Sequence, residues 1–259
     1  MNDYLGYLEI PLASGCNLKC RGCSHFSNAD EHPFLLRKEE FEREIRRLAE
    51  IIPFIHTIRL LGGEPLLNPD VGAIVGMARS VYPASRICVV TNGLLIPSLD
   101  RKTLQSLAEN RALVQISLYP PVKDRLSEIT GILEENGIRY AATEEITHFR
   151  KRVNARGDSD PAYEFEHCPV GKDCHYLDRG KLSVCPAPQI ADIVRDRFLF
   201  DLTVREEDVL DIFAPDVTAE KVRSFLQKAP SVCRFCTEPE LFEWSAGPDP
   251  KWEDWVVKA

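Results

Sequence analysis

Positive charge is scarce in this chain. Lys and Arg number 32 against 40 Asp and Glu, a formal net charge of −8 over 259 residues. Non-specific nucleic-acid binding depends on a positive field, and a polybasic membrane anchor needs a cluster of Lys and Arg. Neither partner is expected. No apolar run approaches the ~20 residues of a membrane span. The opening MNDYLGYLEIPLASGC has neither the basic segment nor the apolar stretch of a secretory signal. A cytoplasmic location is the expectation. Internal repeats and low-complexity segments are also missing. A chain of this length buries an ample core without disulfides.

Cysteine, by contrast, is abundant. There are nine: Cys16, Cys20, Cys23, Cys88, Cys168, Cys174, Cys185, Cys233 and Cys236. In a reducing compartment, clustered cysteines read as metal-binding or catalytic. Three sit in one early loop, five sit late and one stands alone.

The first half alternates strand-like and helix-like segments. Strands are expected at Tyr7–Leu12, Thr57–Leu61, Arg86–Thr91, Val114–Tyr119 and Ile138–Thr143. Helices are expected at 37–52, 71–81, 102–110 and 122–136. In the first of these, Phe41, Ile45, Leu48 and Ile52 share one face. Each crossover is long enough for a parallel sheet. The expected fold class is therefore α/β, a closed or partial (β/α) barrel with its site at the C-terminal strand ends. The cysteine loop, Gly62-Gly63-Glu64-Pro65, Thr91-Asn92-Gly93 and Ser117-Leu118-Tyr119 all fall at such ends. After about Glu144 the pattern changes. His148–Asp160 is polar and basic and reads as a linker. Leu182–Val184 and Phe198–Leu202 read as a short strand pair, and 218–228 as a helix. The three tryptophans, Trp244, Trp252 and Trp255, fall in the last stretch, where they pack down or shield a site mouth from water.

The loop Cys16-Asn-Leu-Lys-Cys20-Arg-Gly-Cys23 places three thiols within eight residues. Three thiolates can hold three corners of a cubane iron–sulfur cluster, which usually takes four. One iron then stays open to a small chelating ligand. A zinc knuckle completed by His25 is the alternative, but structural zinc sites usually pair cysteines from two separate loops.

CNLKCRGC has the CX3CX2C spacing of the radical S-adenosylmethionine (SAM) superfamily, and GGEP follows at the end of the second strand. The two motifs, on consecutive strands and in this order, resemble that superfamily over roughly residues 5–145. The resemblance implies that Cys16, Cys20 and Cys23 hold a catalytic 4Fe–4S cluster. SAM would chelate the open iron through its amino and carboxylate groups. The backbone at Gly62 and Gly63, with Glu64 behind it, would contact the SAM amino group. Ser117 resembles the strand-end residue that meets the ribose, and Asn92 is a second candidate. The residue before the third cysteine is usually aromatic and near the adenine; here it is Gly22, and His25 or Phe26 takes that place. The family's chemistry splits SAM into methionine and a deoxyadenosyl radical, which removes a hydrogen atom from an unactivated carbon.

A second set runs Cys168, Gly180, Cys185, then Cys233-Arg-Phe-Cys236. On spacing alone, a four-cysteine zinc site and an iron–sulfur cluster both stay open. Within the radical SAM family the set resembles the twitch module, a shortened SPASM domain whose four cysteines ligate an auxiliary 4Fe–4S cluster. The pattern is also similar to the twitch enzymes of aminoglycoside biosynthesis, the deoxy-scyllo-inosamine dehydrogenases and the epimerases. The expected organisation is a partial barrel over 1–147, a linker over 148–167, a small α+β iron–sulfur module over 168–240 and a tail over 241–259.

Cys88, mid-strand among β-branched residues, reads as a small buried hydrophobe. Cys174 carries three readings: ligand in place of Cys168, bystander, or hydrogen-atom donor facing the substrate. Within the basic run 148–156, His148 is the easier base, and Arg152 is a clamp for anions. The implied cofactors are SAM and two 4Fe–4S clusters. The implied partners are a sugar, aminosugar or aminocyclitol and a flavodoxin- or ferredoxin-type electron donor. The first expectation is epimerisation of a carbinol centre with Cys174 returning the hydrogen. Oxidation of the same alcohol to a ketone, with the auxiliary cluster taking the second electron, is the second. Peptide maturation and a non-catalytic zinc-binding role are further alternatives.

Overall fold

The computed structural model describes residues 4–169 and 174–258. The chain divides into two compact units, Met1–Asn17 with Phe34–Thr147, and Leu18–Pro33 with His148–Ala259.

The first unit is an open, parallel α/β sheet. Its strands are β1 (Tyr4–Ala13), β2 (Phe54–Gly62), β3 (Arg86–Thr91), β4 (Leu113–Ile116) and β5 (Arg139–Ala142). They lie side by side in sequence order, all parallel. The crossovers contain α1 (Lys38–Ile51), α2 (Val71–Val81), α3 (Arg101–Glu109), the short α4 (Pro120–Lys123) and α5 (Leu126–Glu135). Right-handed crossovers between sequential neighbours put the helices on one face of the sheet. Strand alternation explains which face. Leu8, Ile10, Leu12, Ile58, Leu60, Ile87, Val89, Val114 and Ile116 point one way, and all are buried. The helices bury Phe41, Ile45 and Leu48, then Ile74 and Val75, then Leu104 and Leu107, then Ile129 and Leu133. Burying one such side chain contributes roughly 1.5–3 kcal/mol.

The opposite face is polar. Glu9 pairs in register with Arg59, and Arg59 with Cys88. Arg59 Nη1 donates to Glu9 Oε1 at 3.2 Å and to the Tyr7 hydroxyl, and that hydroxyl donates to Glu9 Oε1 at 3.0 Å. Cys88 is buried as expected, but on this polar face; burial pushes its thiol up. Two expectations shift. The fourth strand ends at Ile116, and the single helix expected over 122–136 is two, because Asp124 and Arg125 interrupt it.

The second unit contains β6 (His148–Asn154), α6 (Pro161–Glu166), β7 (Tyr176–Asp178), β8 (Lys181–Ser183), α7 (Ala187–Phe198), β9 (Leu210–Asp211), α8 (Ala219–Leu226), β10 (Cys236–Glu243) and β11 (Val256–Lys258). β6 is the central strand of a three-stranded sheet, antiparallel to β10 and parallel to β11. β7, β8 and β9 form an antiparallel meander. Phe26, Ile190, Val194, Leu202, Phe235 and Trp255 lie in one apolar core.

The expected linker over 148–167 is thus structured: it contains β6 and α6. Its basic residues misled because strand alternation there interleaves Phe149, Lys151 and Val153 with His148, Arg150 and Arg152. The strand expected at Phe198–Leu202 is not formed. Phe198 closes helix α7, and Leu199 caps it in the left-handed conformation at φ 54°. Pro186 and Pro188 suggest a break, yet proline is tolerated in a helix's first turn, where no backbone N–H is needed. No described helix is long and apolar enough to cross a membrane.

Candidate active site

In the first unit the ends of β1, β2 and β3 are stitched together by the residues of the GGEP turn. Gly63 N–H donates to Ala13 O at 2.7 Å, and Glu64 N–H donates to Gly15 O at 2.9 Å. The chain entering the cysteine loop is therefore hydrogen-bonded to this turn. Glycine is required on contact grounds. A Cβ on Gly62, at φ 125°, would sit 2.1 Å from Ala13 O, and one on Gly63 would sit 2.1 Å from Gly15 O.

Glu64 is completely buried. Its carboxylate accepts from Leu66 N–H at 3.0 Å, Thr91 Oγ1 at 2.6 Å and Asn92 N–H at 2.9 Å. These bonds join the end of β2 to the end of β3. Resemblance puts Glu64 behind the glycines, next to the SAM amino group; the structure gives its carboxylate three protein donors. Burial pushes Glu64 up to about 7, against hydrogen bonds from Thr91, Leu66 and Asn92 that favour the charged form. A folded-state value above the unfolded one means the folded chain binds the proton more tightly. The stability it confers is full below the ordinary 4.5 and is lost as pH rises through about 7. Between those values, wild type should lose more resistance to denaturant than Glu64→Gln, whose side chain does not titrate. Equal pH slopes for the two proteins would remove Glu64 from this role.

Asn92 reaches the cysteine loop directly. Its Nδ2 donates to Asn17 Oδ1 at 2.7 Å and lies 3.9 Å from Cys16 Sγ, while its Oδ1 accepts from Leu94 N–H at 3.0 Å. Ser117 follows β4, and its N–H donates to Thr91 O at 2.8 Å. So Cys16, Gly62, Gly63, Glu64, Asn92 and Ser117 meet at one end of one sheet. Thr91 and Asn17 join them. Sequence reasoning placed both in strand-end segments but gave neither a role, and the signal was their place directly beside named motif residues.

The rest of the loop belongs to the second unit and is bound by its C-terminal residues. Arg21 N–H donates to Ser245 O at 2.9 Å, and Gly247 N–H donates to Lys19 O at 2.8 Å. Trp255 Nε1 donates to Cys23 O at 2.8 Å. Gly22, at φ 63°, leaves room for Phe242: a Cβ there would lie 2.4 Å from the Phe242 ring. Burial pushes the Cys20 thiol up to about 11, with hydrogen bonding from Trp244 working in the opposite direction. Burial also raises Cys23, but hydrogen bonds and charge from His25 and backbone donors at Ser27 and His25 outweigh it and hold the thiol below its usual range. The tryptophans thus pack down, two of them against the loop.

Of the two residues put forward for the adenine, Phe26 is in the core of the second unit, stacked on Trp255 with ring centroids 4.5 Å apart. His25 is half-buried, its Nδ1 3.3 Å from Ser24 Oγ.

Cys168, Cys185, Cys233 and Cys236 come together in the second unit. Cys168 follows α6, Cys185 precedes α7, Cys233 lies in a tight helical turn over Ser231–Phe235, and Cys236 opens β10 opposite Val153. Burial pushes Cys185 up to about 12 and Cys233 and Cys236 also upward, and the neighbouring thiols of the set add to each rise. Three thiols that resist ionising, Cys185, Cys233 and Cys236, with Cys168 beside them, suit a metal core whose positive charge draws them to thiolates. Among the described residues no three His, Cys, Asp or Glu side chains form a group that could hold a single metal ion. Soft sulfur donors in a set of four fit an iron–sulfur cluster, and the loop of three thiols fits a cluster with one open iron.

Arg152 is in this group. Its Nη1 donates to Cys168 Sγ at 3.4 Å. Burial disfavours its charge, but the sulfurs of Cys236 and Cys168 outweigh burial and hold the guanidinium charged. The structure therefore puts Arg152 beside sulfur, where the sequence suggested an anion clamp. His148 is exposed at the start of β6, opposite Glu243. Cys174 is half-buried and precedes β7; the preceding residues 170–173 lie outside the described residues.

A parallel α/β sheet whose first strand runs into Cys16 of a CX3CX2C sequence and whose second ends in Gly-Gly-Glu-Pro defines a SAM-binding iron–sulfur enzyme. The chain belongs to the radical SAM superfamily, whose profile matches residues 10–146. It is similar to the GTP 3′,8-cyclase of Clostridium perfringens (strain SM101 / Type A), 32% identical over 140 residues, which are 53% of this chain and 42% of that one. It also resembles the GTP 3′,8-cyclase of Alkaliphilus metalliredigens (strain QYMF), 27% identical over 211 residues, 78% of this chain and 63% of that one. The chain spans about two fifths of the length of the first of these relatives. Among solved structures, that of BtrN in complex with AdoMet and 2-DOIA shares the fold, with a TM-score of 0.54 and 19% identity over 92% of this chain and 95% of that one. The superfamily implies SAM and one 4Fe–4S cluster, and Cys16, Cys20 and Cys23 are the residues whose spacing fits it.

Proposed function

We propose that this radical SAM enzyme oxidises a carbinol carbon of a sugar, aminosugar or aminocyclitol to a ketone. The observation that carries the reading is the second set of cysteines. Cys168, Cys185, Cys233 and Cys236, gathered beside the half-buried Arg152, form the ligand set of an auxiliary 4Fe–4S cluster able to accept an electron. Likeness in fold over most of both chains to BtrN, solved in complex with AdoMet and 2-DOIA, is in keeping with a small-molecule substrate. When bound, SAM and the first cluster would supply the hydrogen-atom abstraction. The chain's own contribution is placement. Gly62 and Gly63 let the backbone approach closely at the strand ends, Glu64 and Thr91 lock that approach, and Asn92 holds the first turn of the cysteine loop. A flavodoxin- or ferredoxin-type donor supplies the initiating electron.

Epimerisation is the second reading. It uses Cys174, a half-buried thiol outside both proposed ligand sets, as hydrogen-atom donor. The two readings separate in one assay. The reconstituted enzyme is incubated without oxygen with a reductant, SAM and a panel of sugars, aminosugars and aminocyclitols in deuterated water. Oxidation gives ketone in step with 5′-deoxyadenosine, and Cys174→Ala leaves it unchanged. Epimerisation gives inverted alcohol carrying solvent deuterium, and Cys174→Ala stops it. Absence of both products across the panel would remove this substrate class.

A further inference from the structure

We propose that Arg152 sets the electron affinity of the auxiliary cluster, making that cluster an acceptor, and that Glu164 opposes it. The inference rests on the reading that Cys168, Cys185, Cys233 and Cys236 hold such a cluster. Arg152 lies in β6, which is hydrogen-bonded on both sides, with Val153 opposite Cys236 of β10 and Val256 of β11. The backbone carrying the guanidinium is therefore fixed. Its Nη1 donates to Cys168 Sγ at 3.4 Å, and its charge acts on Cys236, which lies across the ladder from the neighbouring Val153. Its Nε is buried with no partner among the described residues. A cation desolvated against two sulfurs, with a donor to spare, is costly unless negative charge is present there. Glu164 is half-buried on α6, which packs against the Ser231–Phe235 turn that holds Cys233 and against β10 that opens with Cys236, and its charge acts on both Cys236 and Arg152.

The consequence is electrostatic. Reduction adds one negative charge to a core already wrapped by four thiolates. A half-buried guanidinium that donates to one of those sulfurs favours the reduced form, and a nearby carboxylate disfavours it. In the oxidation proposed above, the substrate has lost a hydrogen atom from carbon and retains one unpaired electron. Its hydroxyl O–H bond then breaks, the proton passes to water, one electron passes to the cluster, and the C–O bond becomes a carbonyl. A flavodoxin- or ferredoxin-type carrier takes that electron onward. Arg152 would act through the cluster on this step and is a positioning residue, not a catalytic one.

The test reads potential, not turnover. Cys16, Cys20 and Cys23 are changed to alanine, so that iron retained after anaerobic reconstitution belongs to the second set alone. In that background Arg152→Met, Arg152→Lys and Glu164→Gln are compared by redox titration followed by electron paramagnetic resonance. Arg152→Met should lower the midpoint by at least a tenfold change in the reduced-to-oxidised ratio at fixed poise, about 59 mV for one electron. Arg152→Lys, which keeps the charge, should recover most of the loss, and Glu164→Gln should shift the midpoint upward. Retained iron with an unmoved midpoint in Arg152→Met overturns the inference and leaves the cluster reading standing. So does a lysine variant as low as the methionine variant. If Arg152→Met fails to assemble a cluster, the sign of the Glu164→Gln shift decides, and a downward or absent shift overturns the inference. No retained iron in the triple variant itself overturns the cluster reading instead.

Discussion

Changing Cys16, Cys20 and Cys23 together to alanine should halve the iron of the reconstituted protein and abolish SAM cleavage. Two clusters of the four-iron kind predict roughly eight irons falling to roughly four. The arithmetic is diagnostic because the two ligand sets do not overlap. One lies within an eight-residue loop, the other is drawn from 168–236. Electron paramagnetic resonance of the reduced triple variant should still show one cluster. If wild type holds roughly four irons and the variant none, the second set holds no iron, and oxidation assisted by an auxiliary cluster loses its acceptor. The fold should survive the triple change, since these thiols are ligands and the loop's backbone bonds to Ser245, Ala246 and Gly247 do not involve the side chains.

Gly63→Ala should be, with Gly62→Ala, among the most damaging single methyl additions at the described glycines. The added carbon would lie 2.1 Å from Gly15 O and 2.5 Å from Ser14 O, and both are backbone. Backbone cannot swing aside as a side chain does, so the approach to Cys16 must move. A cost above about 3 kcal/mol is expected, in the tail of single-substitution effects. For a chain of this size that lowers the melting temperature by roughly 6–12 °C. Cluster assembly should suffer even in the fraction that folds. Gly131→Ala in α5 is the control. Nothing lies within 4 Å of its added carbon, and removing a helical glycine stabilises by roughly 0.5–1 kcal/mol. Equal melting temperatures for Gly63→Ala and wild type would show that the turn does not clamp the loop.

The parallel sheet of the first unit was legible because its apolar residues alternate with the period the fold imposes. The catalytic motif was legible because cluster ligation and close backbone approach admit few residue types. The second unit was less so. β6 carries basic residues since one of them, Arg152, meets sulfur, and a strand read by hydrophobicity does not announce that. β10 contains Pro239, which suits an irregular stretch, and its pairing shifts register between Cys236 and Glu240. Helix α7 starts among prolines that composition reads as a break. Glu64 was read as part of the site from its motif alone, and its bonds to Thr91 and Asn92 depend on two strands meeting, which no local pattern encodes.

The tryptophan bond to the cysteine loop has a bearing on how the protein is made. Trp255 and Cys23 are 232 positions apart. During synthesis at ~5–20 residues per second, the loop leaves the ribosome early and waits many seconds for its last partner. The first unit's strands pair with sequence neighbours and can form meanwhile, whereas Cys20 and Cys23 keep an unfinished surround until residues 245–255 emerge. A cluster on this loop would therefore gain its full surround only after residues 245–255 have emerged, and synthesis halted before them would leave a formed sheet and an open cysteine loop.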